Sequence, residues 1–471
     1  MHIEQIYTGC LAQGAYYIES DGEAAIIDPL RESSPYLERA EKREAKIKYV
    51  FETHFHADFV SGHVDLASKS GATIVYGPTA KTEFDSHIAQ DEEIFELGNI
   101  KIKALHTPGH TMESTTYLLL DESGKETAIF SGDTLFIGDV GRPDLAQKGE
   151  ITQDDLAGML YDSLRNKIMP LSDDITVYPA HGAGSACGKN MSKETTDSLG
   201  NQKQTNYALR ADMTKQEFID EVTDGLLPPP QYFAGNVAMN KSAQTDALDN
   251  ILEKGTVPLD VETFEAYANH EGALVLDTRN QQIFAKGHVP NSIFIGIDGG
   301  FAPWVGALIP DLKQPIILVA DEGREEEIVT RLSRVGYDNT LGYLKGGIQA
   351  WKDSGKEVAT VHSIAASDFA TAHKNANLNV VDVRKSSEYE AEHIEDATNL
   401  PLDYISENMS ELKQDKTYHI HCAGGYRSMI AASILKSRGI HDIVDVAGGF
   451  KAISETDIPK SEFVCPSTQS K

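Results

Sequence analysis

Residues 53–63 read Thr53-His54-Phe55-His56-Ala57-Asp58-Phe59-Val60-Ser61-Gly62-His63, a turn dense in imidazole and carboxylate. Side chains of these types at such close spacing serve as metal ligands or as the groups that orient them. More of them recur downstream: His110 in Thr107-Pro108-Gly109-His110, Asp133 in Ser131-Gly132-Asp133-Thr134, and His181 in Pro179-Ala180-His181-Gly182. A second chemistry lies near the other end, in His421-Cys422-Ala423-Gly424-Gly425-Tyr426-Arg427-Ser428. There Gly424 and Gly425 let successive N–H groups turn inward as an anion nest, and a helix beginning near Ser428 adds its positive end. Arg427 contributes a full charge, and together these groups favour a thiolate or persulfide on Cys422. A metal centre and a thiolate cradle on one chain predict sulfur chemistry coupled to a metal.

Such residues must be carried to one place by the elements that flank them. Short β-rich runs end just before the chemistry: Tyr16–Glu19, Ala24–Asp28, Tyr49–Glu52, Ala72–Tyr76, Thr116–Leu120, Ala128–Phe130 and Ile175–Tyr178. Loops at strand ends are where ligands from separate strands meet on one rim. One helix is expected from about Ser61 to Lys69, stopped by Gly71, and another from about Asp154 to Lys167. In the latter, Leu156, Met159, Leu160 and Leu164 form a core-facing stripe. Residues 190–255 are polar, helical in tendency and broken by Pro228-Pro229-Pro230, which suits an arm closing the first domain.

Beyond residue 255 the chain repeats itself. Val275-Leu276-Asp277-Thr278-Arg279 returns as Val380-Val381-Asp382-Val383-Arg384, and Lys345-Gly346-Gly347 returns as Ala447-Gly448-Gly449. Each copy alternates strand and helix, the pattern of a small α/β domain with a mostly parallel sheet. In the first copy the place of the cysteine loop is taken by Asp321-Glu322-Gly323-Arg324-Glu325-Glu326. It has no thiol and its acids repel an anionic sulfur species, so this copy is read as inactive. The expected domains are 1–255, 256–358 and 359–471.

Composition narrows the partners. A formal charge of −30 over 471 residues argues against nucleic acid, which needs clustered Lys and Arg. No apolar run reaches the roughly 18 residues needed to span a bilayer, so no membrane partner is expected. The first residues lack a signal-peptide pattern, and Cys10, Cys187, Cys422 and Cys465 lie far apart. A reducing, cytoplasmic setting is expected.

The His-x-His-x-Asp turn followed by strand-end His, Asp and His resembles the metallo-β-lactamase superfamily, an αββα sandwich. The Cys422 loop, flanked by Asp382 to Arg384 and Gly448-Gly449, resembles rhodaneses more than the phosphatases that share C-x5-R. The whole chain is similar to persulfide dioxygenases fused to rhodanese domains. That resemblance implies Fe(II), one per chain, held by His54, His110 and Asp133, a set that leaves positions open for O2 and substrate. His56, Asp58 and His181 are then supports for the ligands, with a ligand role for them left open. Phe59 stands where most superfamily members carry a further histidine, which argues against a two-metal hydrolase.

The resemblance also implies substrates: a low-molecular-weight persulfide and O2 giving sulfite, with Cys422 passing sulfane sulfur to or from thiosulfate. Arg142, in Gly141-Arg142-Pro143-Asp144, is a candidate for persulfide binding, with a salt bridge to Asp144 as the other reading. Gly424, Gly425 and Ser428 are candidates for binding the substrate anion. Cys187, six positions after His181, is a candidate persulfide carrier beside the metal, or else a buried inert thiol. Related enzymes imply a homodimer or homotetramer. Two other readings are kept: a binuclear zinc thioester hydrolase of the glyoxalase II type, and a non-catalytic sulfur carrier or redox sensor.

Overall fold

The computed structural model describes residues 1–146, 151–189 and 191–464; Cys465 lies outside the described residues. Contacts divide the chain into two units, Met1–Leu248 with Ser333–Gly336, and Asp249–Leu332 with Tyr337–Lys471.

The period-two alternation of strands builds the first unit. Along Gln13–Ser20, Tyr16 and Ile18 enter one core while Ala15 and Tyr17 enter another. This strand lies in a six-stranded sheet of order His2–Thr8, Gln13–Ser20, Glu23–Ile27, Lys46–Phe51, Thr73–Tyr76, His87–Ile88. A second six-stranded sheet runs Asp197–Ser198, Thr176–Pro179, Glu126–Gly132, Thr115–Leu120, Ile100–His106, Ile94–Leu97. Tyr16, Phe51, Ile102, Tyr117, Leu119 and Phe130 pack between the two sheets. Helical residues Tyr36, Ala40 and Leu66 cover one outer face, and Leu160, Leu164 and Phe218 cover the other. The layers are the expected αββα sandwich.

Two helices matter for the site. His63–Ser70 starts later than the expected Ser61, because Ser61 bridges Leu30 and its hydroxyl bonds the Pro29 carbonyl at 2.9 Å. It stops where expected, at Gly71 in the left-handed region. Gln153–Ser163 opens on a Thr152–Asp155 capping box and continues as one π-helical turn, Leu164–Ile168. Leu156, Leu160 and Leu164 are buried along it, while Met159 is half-buried.

The expected arm after residue 190 is a set of helices, Leu199–Thr205, Lys215–Thr223, Phe233–Lys241 and Leu248–Gly255. The boundary expected at 255 falls at Leu248, because the last helix packs within the second unit. A Cβ on Gly255 would sit 2.8 Å from Val329 of that unit.

The repeat in the second unit is exact at the level of topology. One five-stranded sheet has the order Pro258–Leu259, Thr340–Leu344, Ile316–Val319, Leu274–Asp277, Ile293–Phe294. The other has His362–Ala365, Ile443–Ala447, Tyr418–His421, Asn379–Asp382, Thr398–Asn399. All pairings are parallel in both, as an alternating strand–helix sequence requires.

Candidate metal centre and thiolate loop

His54, His110 and Asp133 are all buried, and their ligand-type atoms lie within 4.8 Å of one another. They leave from the ends of Lys46–Phe51, Ile100–His106 and Glu126–Gly132. The Nε2 atoms of His54 and His110 lie 3.8 and 3.3 Å from Asp133 Oδ2. Their other ring nitrogens are already used. His110 Nδ1 donates to the Arg142 carbonyl at 2.9 Å, and His54 Nδ1 pairs with Thr53 Oγ1 at 3.0 Å. The Thr53 hydroxyl in turn donates to Asp28 at 2.9 Å. This chain fixes each ring so that Nε2 faces inward. Burial, and then the neighbouring His56, His110 and His181, push His54 well below its ordinary range, so it stays neutral as a metal ligand must.

Both carboxylate oxygens of Asp133 and the Nε2 of His181 are buried without a hydrogen-bond partner. Orphaned acceptors in a dry pocket are costly unless a cation satisfies them, so these side chains fit a metal ion.

His56, Asp58 and His181 form a second buried group, also within 4.8 Å, and His181 Nε2 lies 3.4 Å from Asp58 and 3.6 Å from Asp133. His56 Nε2 lies 3.0 Å from an Asp28 oxygen and 3.3 Å from a Glu52 oxygen. Burial opposes charge on His56, yet those two carboxylates hold it well above its ordinary range. Phe59 is fully buried and stacks on the His56 ring at 4.2 Å, where it offers no ligand atom.

Asp28, Glu52, Thr53 and Asn240 belong to this centre and were missed as site residues in the sequence. Asn240, from Phe233–Lys241, donates to the carbonyls of His56 and Phe59 at 2.8 Å and accepts from Ser61 N–H at 2.8 Å. It clamps the histidine turn from 181 or more residues away, a distance no local pattern bridges. Asp28 closes a predicted strand, and Glu52-Thr53 directly precede the turn; their adjacency was the available signal.

Cys187 is buried, and its sulfur forms a group with Asp133 and His181 within 4.8 Å. Burial, then Asp58 and Asp133, push its thiol well above the ordinary range. Arg142 takes the salt-bridge reading. Its guanidinium forks onto Asp144 at 2.7 and 2.6 Å, and also holds the carbonyls of Ala186 and Leu227. These contacts brace the Cys187 loop.

In the last domain, Cys422 ends Tyr418–His421 and its Sγ accepts Gly425 N–H at 3.1 Å. Gly425, at φ +95°, is a conformational requirement, whereas Gly424 has negative φ and open space for a Cβ. The helix starts at Tyr426, earlier than expected, so its first N–H groups face the loop. Ser428 is fully buried, with its hydroxyl donating to Asp445 at 2.8 Å. Arg427 forks onto Glu388 at 2.6 and 2.8 Å. The Asp382–Arg384 pair is buried under the loop, with Arg384 over the Phe450 ring at 3.9 Å.

Comparison with known proteins agrees with this division. The Metallo-beta-lactamase superfamily profile matches residues 8–181, and the Rhodanese-like domain profile matches 245–354 and 365–456. A probable hydroxyacylglutathione hydrolase of Schizosaccharomyces pombe is 34% identical over 160 residues, covering 33% of this chain; the chain spans only 58% of that relative's length. The mitochondrial persulfide dioxygenase ETHE1 of Homo sapiens is 29% identical over 227 residues, covering 47% of this chain and 81% of that protein. A crystal structure of a metallo-beta-lactamase from Staphylococcus aureus subsp. aureus COL superposes with a TM-score of 0.63 at 32% identity. It covers 73% of this chain and 98% of its own.

Proposed function

Since the chain belongs to the metallo-β-lactamase superfamily and carries two rhodanese-like domains behind that fold, we propose that it oxidises a low-molecular-weight persulfide to sulfite and exchanges sulfane sulfur with thiosulfate. The carrying observation is the two-histidine, one-aspartate trio with Phe59 beside it. Two histidines and one aspartate supply the donor set that suits a single redox metal, and an apolar ring stands next to His56 where a second metal would want a donor. His54, His110 and Asp133 would hold the iron, which would supply redox chemistry between O2 and the persulfide sulfur. The balance is RSSH + O2 + H2O → RSH + H2SO3. Thr53 and the Arg142 carbonyl orient the two imidazoles, and the buried walls keep bulk water out. Cys187 lies where a sulfur atom could wait beside Asp133 and His181.

The rhodanese step is Cys422–S–S⁻ + SO3²⁻ → Cys422–S⁻ + S2O3²⁻. Gly425 N–H and the helix start at Tyr426 stabilise the thiolate on both sides of it. The first copy has no cysteine there and serves as scaffold.

A binuclear zinc thioester hydrolase is the second reading, favoured by the His56–Asp58–His181 group and the hydroxyacylglutathione hydrolase relative. Cys422→Ser separates the two activities. The variant is expected to release sulfite at the wild-type rate and form no thiosulfate from persulfide and O2. Loss of sulfite as well would contradict two separate sites, and hydrolysis of a glutathione thioester without O2 uptake would favour the second reading.

A further inference from the structure

The two rhodanese-like copies allow an internal comparison, because residues 277–288 align with 382–393 at a constant offset. Contacts that hold the fold are kept in both. Asp277–Arg279 and Asp382–Arg384 are buried pairs at 2.6 Å. Phe284 stacks on His288 and Tyr389 on His393, each at 3.8 Å. Three charged positions differ along the helix that follows, Glu388 against Ile283, Glu390 against Ala285 and Ala391 against Lys286, and of these Glu388 pairs with the loop. Glu388, in Ser386–Ala391, stands where Gln281–Lys286 has Ile283, which is 47% exposed. The acid is therefore present in the copy with a cysteine and absent from the copy without one. The matching helix start in the first copy is capped by the Asn280 side chain instead.

Glu388 sits against the loop's own cation. Its two oxygens take both terminal nitrogens of Arg427 at 2.6 and 2.8 Å, and Oε2 also accepts Lys385 N–H at 3.1 Å. The fork is anchored at a helix start and is half-buried, so the charges interact more strongly than a surface pair would. With Cys422 as thiolate, Arg427 faces two anions, the thiolate and Glu388; Asp403 adds to the negative field at Arg427, and Arg384 adds a positive field at Glu388. An incoming oxyanion must share Arg427 with a carboxylate already bound to it.

We propose that Glu388 sets the charge specificity of the Cys422 loop, disfavouring dianions such as thiosulfate against persulfides and neutral thiols. This rests on the reading of Cys422 as a sulfur carrier and deepens it.

The test uses the full chain with Glu388→Gln and Glu388→Asp. Steady-state kinetics are run with thiosulfate as donor and a neutral thiol as acceptor. In parallel, Cys422 is alkylated with iodoacetate or iodoacetamide, and its peptide is quantified by mass spectrometry. Glu388→Gln is expected to lower KM for thiosulfate on the order of fivefold with kcat little changed, the size of one screened unit charge. The iodoacetate-to-iodoacetamide rate ratio should rise by a similar factor, both effects should shrink at high salt, and Glu388→Asp should restore wild-type behaviour. A raised KM with an unchanged alkylation ratio would overturn the proposal, since Glu388 would then only hold Arg427 in place. A protein inert to thiosulfate and persulfide whose ratio still rises on Glu388→Gln would overturn the sulfurtransferase reading and support the charge assignment.

Discussion

Thr53 carries much of the order in the metal centre although it holds no metal itself. Its hydroxyl accepts from His54 Nδ1 and donates to Asp28, which locks the tautomer and angle of the ring. Thr53→Val keeps the shape and removes both bonds. The expected result is a 10- to 100-fold loss of metal affinity with the fold retained, measured by competition with a chelator. Single residues were legible where their own chemistry was dense, as at His54, His56, Asp58, His110, Asp133, His181 and Cys422. They were illegible where the role is set by a distant partner. Asn240 looks like any polar residue of an arm until the carbonyls of His56 and Phe59 are seen on its amide. Arg142 and Ser428 show the converse, since residue type alone does not announce that their side chains pair with Asp144 and Asp445.

At the scale of elements, Gln153–Ser163 forms the floor beneath the His110 loop. Gly109, at φ +148°, passes so close that a Cβ there would sit 2.4–2.5 Å from Leu160, backbone included. Gly109→Ala must push loop and helix apart, costing about 1–3 kcal/mol. The prediction is a lower denaturation midpoint with weakened metal retention; an unchanged midpoint would show that the helix yields freely. The helix and its stripe were readable from apolar spacing. Its π-helical turn was not, because residues 164–168 carry the same pattern in either winding. The neighbouring strands Ile94–Leu97 and Ile100–His106 also escaped, although Ile100, Ile102 and Ala104 alternate with Lys101 and Lys103 as a half-buried strand should.

At the scale of the whole molecule, the repeat and the αββα layering were legible because periodicity and motif spacing survive without tertiary information. The boundary at Leu248 was not, since only packing onto Val329 assigns the last helix. The silent copy also gives the molecule an acid-labile element. Burial pushes His288 down to about 4, with Nδ1 bonded to the Phe284 carbonyl at 2.9 Å. Between the ordinary histidine value near 6.5 and about 4, the unfolded chain takes up a proton that the folded domain refuses. Its stability is thus complete at neutral pH and falls by roughly 3 kcal/mol as pH drops through that window. The chain's 2 tryptophans, Trp304 and Trp351, both lie in this domain, so urea titration followed by their fluorescence reads it selectively. His288→Gln should flatten the pH dependence, and an equal slope in the variant would assign it elsewhere.

The central claim is that one redox metal held by His54, His110 and Asp133 couples O2 to persulfide sulfur. It is tested most directly by metal analysis of protein purified without air, followed by oxygen uptake on adding a small persulfide. About one iron per chain is expected, with O2 consumed in step with sulfite formed. Two zinc ions per chain and no oxygen uptake would contradict it.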